Sequence, residues 1–115
     1  MRFRAAARTP PRCTLRERQP GYYVFEGELG FAAAEQILPA VSARIAAAVE
    51  TTLDLGGVSR ADSAALALLL EWQRLAQGSG RVLRYVNLPS QLRAIAHVAG
   101  VEEILGMIAG VGGAA

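Results

Sequence analysis

The stretch Leu53–Trp72, LDLGGVSRADSAALALLLEW, constrains the fold more than any other part of the chain. It opens within the short apolar and β-branched run Thr51–Leu55 and passes Gly56–Gly57. It then enters Ala64–Gln77, a run of good helix formers with no Gly or Pro inside it. Such an apolar strand suits a sheet buried beneath helices. The helix is predicted to stop at Gly78-Ser79-Gly80, and a further short strand, Arg81–Val86, follows. Strand, helix, strand in that order needs a crossover, so the sheet must be mainly parallel, with right-handed connections.

The flanking segments extend this plan. Thr14–Arg18 and Tyr22–Leu29 surround Gln19-Pro20-Gly21, a turn signal, and read as a hairpin that Gly30 ends. Tyr22 and Tyr23 should fall on opposite faces, one in the core and one exposed. From Phe31 the period turns helical, with Phe31, Ala34, Ile37, Leu38, Val41, Ile45 and Val49 on one stripe. Pro39 removes a bond to the Glu35 carbonyl, which predicts a kink or a helix that starts properly near Leu38. Gly56–Gly57 are expected to stop the strand before them. Asn87-Leu88-Pro89-Ser90 breaks the last strand, Gln91–Ala99 forms a third helix ended by Gly100, and Val101–Met107 makes a final helical turn. The order ββαβαβαα predicts an α/β fold: a mixed, mainly parallel sheet of four to five strands with about four helices.

With 115 residues the chain is expected to hold one domain. We place it at residues 13–107, between a flexible arm (1–12, closed by Pro10–Pro11) and a flexible Gly/Ala-rich tail (108–115). A hydrophobic fraction of 52% excludes disorder for the chain as a whole. The run Ala64–Leu70 is far shorter than the ~20 apolar residues of a bilayer span, so no membrane insertion is expected. All 12 basic residues are Arg. Six stand against one Glu in residues 1–18, giving +5, and six against nine carboxylates beyond, giving −3. The folded part therefore lacks the basic stripe with interleaved aromatics that a nucleic-acid binder needs. The single Cys13 and the absence of an apolar signal core in MRFRAAARTPPR predict a reducing, cytoplasmic setting.

Function should concentrate at Asp62-Ser63, where strand passes into helix. Asp is a strong N-cap, so one reading is a cap and nothing more. The helix beyond adds a second reading. Ala65, Leu68, Leu69, Trp72, Leu75 and Ala76 form the core stripe. Ser63, Leu66, Ala67, Leu70 and Arg74 line the opposite face, at i, i+3, i+4, i+7 and i+11. That face carries apolar residues where water would favour polar ones, so it needs a second buried surface, inside the fold or against a partner. We take the partner as the expectation, with Asp62 holding the loop. A phosphate on Ser63 would change the charge there by about −2.

Catalytic alternatives are weaker. Ser63, Asp62 and His97 supply the types for a triad, but no G-x-S-x-G elbow surrounds Ser63, and His97 falls on the solvent side of its helix. Gly56-Gly57 and Gly78-Ser79-Gly80-Arg81 are turns without the Gly-Lys-Ser/Thr of a phosphate loop. One His and one Cys in separate segments do not make a metal site, Glu102–Glu103 read as capping or solvating a short helix, and Trp72 reads as packing. We expect no catalytic residue, no metal and no cofactor.

These residues carry a family resemblance. From about residue 14 to 105, and most specifically over the strand–loop–Asp62-Ser63–helix segment, the chain resembles the STAS domain. That domain is shared by anti-sigma factor antagonists and the cytoplasmic tails of anion transporters. Within the family it is most similar to the MlaB group, on VSRADSAALALLLEW and NLPSQLRAIAHVAGVEEIL. The resemblance implies a four-stranded sheet with about four helices. It implies binding, in the cytoplasm, to the ATPase subunit of a Mla-type phospholipid-transport ABC complex with an inner-membrane permease. The hydroxyl at Ser63 would be functionally important, and Leu66, Ala67, Leu70 and Arg74 would dock on the ATPase. The alternative it implies is an anti-sigma factor antagonist, whose Ser63 is phosphorylated by a kinase partner. The chain departs from both groups at Ala64–Ala65, where Ser or Gly is common, which implies a less flexible loop.

Overall fold

The hairpin forms as expected: β1 (Cys13–Gln19) and β2 (Tyr22–Leu29) pair antiparallel around Gly21, whose φ of 80° suits a residue without Cβ. The computed structural model describes residues 12–106, so most of the arm and the whole tail lie outside the described residues. Helix α1 (Phe31–Ala47), strand β3 (Glu50–Ala61), helix α2 (Ser63–Gly78), strand β4 (Val82–Val86) and helix α3 (Ser90–Ala99) follow. β3 runs parallel to both β2 and β4, giving a mixed four-stranded sheet of order β1-β2-β3-β4. The α/β reading with a mainly parallel sheet therefore holds, with four strands and three helices among the described residues. α1 and α3 both pack on α2. Phe25, Leu53 and Leu55 are buried with Trp72, whose ring centroid lies 5.9 Å from that of Phe25. Trp72 also donates from Nε1 to the Leu38 carbonyl at 3.4 Å, so it locks α2 to α1.

Four local expectations are corrected. First, of the two outcomes expected at Pro39 the start near Leu38 is excluded: α1 begins at Phe31 and continues through Pro39. Pro39 is exposed, so water can serve the Glu35 carbonyl that loses its partner. Second, the buried row of α1 is Ala33, Ile37, Val41 and Ile45, a strict i, i+4 series. Phe31 and Val49, expected on the core stripe, are 81% and 74% exposed. Third, β3 does not stop at Gly56–Gly57 but runs on to Ala61. The pairing with β2 slips a residue there, and a Cβ on Gly57 would lie 2.5 Å from the Phe25 carbonyl oxygen. The glycines permit a bulge at close backbone approach, not a strand end. Fourth, residues 102–106 form turns instead of a helix. Leu105 N–H donates to the Val101 carbonyl at 3.3 Å, and Gly106, at φ 72°, breaks the run; Met107 lies outside the described residues.

The sheet face opposite Leu53 carries a polar cluster centred on Asp54, a buried carboxylate. The Tyr22 hydroxyl donates to it at 2.6 Å, the Gly56 N–H at 2.8 Å and the Asn87 amide at 3.1 Å. Tyr22 and Tyr23 do take opposite faces, but both are half-buried: Arg18 lies over the first ring and Arg44 of α1 over the second. Burial raises the Asp54 pKa, yet the donors from Tyr22, Gly56 and Asn87, with the Arg18 charge, lower it further, so the net shift is downward. A carboxyl depressed in the folded state stabilises the fold above its unfolded pKa and stops doing so as pH falls through the folded one. The stability gap between wild type and Asp54→Asn should therefore begin to narrow as pH falls below about 5 and go on narrowing below the ordinary carboxyl pKa of about 3.9. Urea midpoints across that window check it, and a constant gap would mean the carboxylate is not selectively held.

Thr51, also in β3, is buried in the core with its Oγ1 unpartnered among the described residues. Thr51→Val keeps the shape and removes a desolvated hydroxyl, so it should raise stability by about 1 kcal/mol, read as a higher urea midpoint at unchanged slope. Burial of Cys13 pushes its thiol up to about 11, which leaves it protonated and unreactive at neutral pH.

Candidate functional site

β3 ends at Ala61 and α2 begins at Ser63, which puts Asp62 at the N-cap. Its Oδ1 accepts from the N–H of Ala64 at 2.9 Å and of Ala65 at 3.3 Å, as the sequence predicts. The second oxygen has a partner the sequence did not reveal. Oδ2 accepts from the N–H of Phe31 at 3.3 Å, the first residue of α1. The N-cap of α1 is Gly30, which offers no side-chain cap, and a Cβ there would lie 2.6 Å from the Asp62 carboxylate. One carboxylate thus serves the N-termini of two helices, reaching 31 residues back along the chain to Phe31. The available signal was Gly30 itself, a helix start with no capping side chain of its own.

Ser63, the first residue of α2, is exposed. Ala67 and Arg74 are exposed on the same face and Leu70 is half-buried, so four of the five ridge residues reach the surface at least in part. Leu66 does not. It is 7% exposed and belongs to the hydrophobic core, which overturns its placement as a docking residue. On a helical wheel Leu66 shares its stripe with Gln73 and Gln77. Those two line a cavity of about 350 Å³ with β4 and residues 103–106. The second buried surface that the ridge called for therefore lies inside the fold at Leu66. Arg74 is held along α2 by Glu71, with Nε 3.1 Å from Oε1.

A cavity of about 470 Å³ opens beside Asp62, and its lining includes Arg12, Glu28, Phe31, Arg60 and Gln91. Gln91 ties α3 to this end by accepting from the Ala61 N–H at 3.1 Å. Arg12, the last residue of the expected arm, is anchored: its side chain pairs with Glu28 at 3.1 Å and its carbonyl accepts from the Glu28 N–H at 2.8 Å. The starts of α1, α2 and α3 thus gather at the C-terminal ends of parallel strands.

The triad residues serve other contacts. Asp62 spends both oxygens on backbone amides, and His97, exposed on α3, has Nδ1 2.9 Å from Glu102 Oε2. At 1.5 Å rise per residue, His97 lies roughly 9 Å along α3 from Gln91, away from Ser63. Among the described residues no group of three or more His, Cys, Asp or Glu could hold a metal ion. The arrangement is a rigidly capped helix start with an exposed hydroxyl, a geometry for contact.

Comparison with known proteins bears on what that contact is. A family model described as "Mlab, STAS domain" matches residues 23–108. No curated protein matches the chain. Among solved structures, the fold is similar to the anti-sigma factor antagonist SpoIIAA in its unphosphorylated form, at TM-score 0.63 and 22% identity, covering 79% of this chain and 83% of that one. It is similar to the Bacillus cell fate determinant SpoIIAA in the phosphorylated form, at TM-score 0.61 and 22% identity, over 79% and 86% of the two chains. It is also similar to part of the murine Slc26a9 anion transporter in the inward-facing state, at TM-score 0.59 and 22% identity, over 76% of this chain and 15% of the transporter. At these identities the likeness is one of fold.

Proposed function

We propose, because the chain belongs to the MlaB-type STAS family, that it is a non-enzymatic subunit of a bacterial Mla-type phospholipid-transport ABC complex. In this reading it binds the cytoplasmic ATPase subunit, supports its activity, and so serves outer-membrane lipid asymmetry. The observation that carries the reading is the family match, which takes in the whole Asp62–Arg74 segment. The exposed Ser63, Ala67 and Arg74, with half-buried Leu70, supply the contact face, and Asp62 holds it in place. No helix among the described residues is long and apolar enough to cross a membrane, so association with the inner membrane would run through the ATPase and its permease. Binding would favour a competent ATPase state only by as much as the subunit prefers that state. Co-purification of the full chain with the ATPase subunit of a Mla-type complex tests the reading. Wild type should be retained and an Ala67→Glu/Leu70→Glu variant lost; no retention of wild type overturns it.

A second reading, an anti-sigma factor antagonist, is favoured by the likeness to SpoIIAA in both phosphorylation states. A kinase partner would then phosphorylate Ser63, placing about −2 of charge next to the Asp62 carboxylate and repelling it. Incubation with the candidate kinase and ATP should give a single phosphate that Ser63→Ala abolishes. Full transporter support by Ser63→Ala would argue against any role for the hydroxyl in the first reading.

A further inference from the structure

The removal of Leu66 into the core leaves the α2 ridge short of apolar surface. Ser63, Ala67, half-buried Leu70 and an Arg74 already paired with Glu71 remain. A specific interface covers about 800 Å² per partner and draws most of its energy from a few anchors, chiefly Trp, Tyr and Arg, with aromatics enriched throughout. The ridge has no free anchor of this kind. The missing surface stands next to it. Phe31 is 81% exposed, and its N–H is bonded to the same carboxylate that caps Ser63's helix. Its backbone is therefore fixed relative to Ser63 before any partner arrives, which lowers the ordering cost of binding.

The charges around Phe31 indicate what it would meet. In the cavity beside it, Glu28 is paired with Arg12 and Asp62 is committed to backbone amides. Arg60 lines the same cavity, is exposed, and makes no ion pair among the described residues. We infer that Phe31 and Arg60 anchor the partner-binding surface at the Ser63 end, and that the partner presents an apolar pocket rimmed by a carboxylate. This rests on the reading that the subunit docks on the ATPase, and it extends the contact from α2 to the start of α1 and the end of β3.

The test uses the full chain and the purified ATPase subunit of a Mla-type complex, with affinity measured by calorimetry and folding checked by circular dichroism. Both side chains are exposed, so Phe31→Ala and Arg60→Glu should fold as wild type does. Phe31→Ala should weaken binding about 30-fold or more, the range of an aromatic anchor. Arg60→Glu should weaken it about 10-fold and flatten the salt dependence that wild type shows. If both variants bind within about twofold of wild type while Ala67→Glu/Leu70→Glu does not bind, the inference is overturned and the ATPase reading stands. If wild type does not bind the ATPase, both fall. If Phe31→Ala instead converts a wild-type dimer to monomer without touching ATPase affinity, the surface belongs to a second copy and the inference is wrong.

Discussion

Leu66→Glu is expected to unfold the domain, whereas Leu70→Glu leaves it folded. Both residues lie on the face of α2 that begins at Ser63, and periodicity alone gives them the same role. The structure separates them. Leu66 is 7% exposed within the core cluster, while Leu70 is half-buried at its margin. Replacing Leu66 by Glu forfeits about 2–3 kcal/mol of apolar burial and forces an unpaired carboxylate into the core, at a cost of several kcal/mol more. Set against a domain stability of about 5–15 kcal/mol, that sum removes most or all of it. At position 70 a Glu can turn its carboxylate to water and cost about 1 kcal/mol. Urea unfolding of the two single variants decides the matter: a native midpoint for Leu66→Glu would return Leu66 to the surface. Docking experiments therefore need Ala67→Glu/Leu70→Glu, since a Leu66 variant would lose partner binding by unfolding.

The burial of Leu66, against what its spacing predicts, has a physical reason. Local periodicity marks the centre of a buried stripe, but its width depends on how many elements flank the helix. α2 lies between α1 and α3, so its buried arc takes in Leu66 as well as Leu68, Leu69 and Trp72. Phe31 shows the same limit in reverse, since α1 buries only the narrow row Ala33, Ile37, Val41, Ile45. What depended on local chemistry was legible: the hairpin at Gly21, the Asp62 cap on α2, and the stop of α3 at Gly100 in the left-handed region at φ 74°. What depended on a distant partner was not. Gly56–Gly57 look like a terminator until Gly57 is seen to lie where a Cβ would run into the Phe25 carbonyl, and the second oxygen of Asp62 has its partner in another helix.

Asp62→Ala should cost more than a single lost cap. Removing a good N-cap typically destabilises by about 0.5–2 kcal/mol, and this carboxylate serves two helix starts, so about 2–3 kcal/mol is expected. Asp62→Asn separates the two. Asn is as good a cap as Asp, so its carbonyl oxygen can keep the Ala64 and Ala65 amides. Its –NH2 then faces the Phe31 N–H, donor against donor, and the contact to α1 is lost at a cost of about 1 kcal/mol. Amide hydrogen exchange reads the two ends independently. Asp62→Ala should speed exchange at Phe31 and at Ala64–Ala65, and Asp62→Asn at Phe31 alone. Gly30→Ala approaches the same joint from the other side, because its new Cβ would stand 2.6 Å from the carboxylate oxygens and must displace them. Exchange that changes only at Ala64–Ala65 in all three variants would show that the carboxylate does not reach α1. The same measurement bears on function, since the bond from Asp62 to Phe31 is what fixes the exposed ring beside Ser63. Asn at position 62 should then weaken partner binding more than its small effect on stability explains.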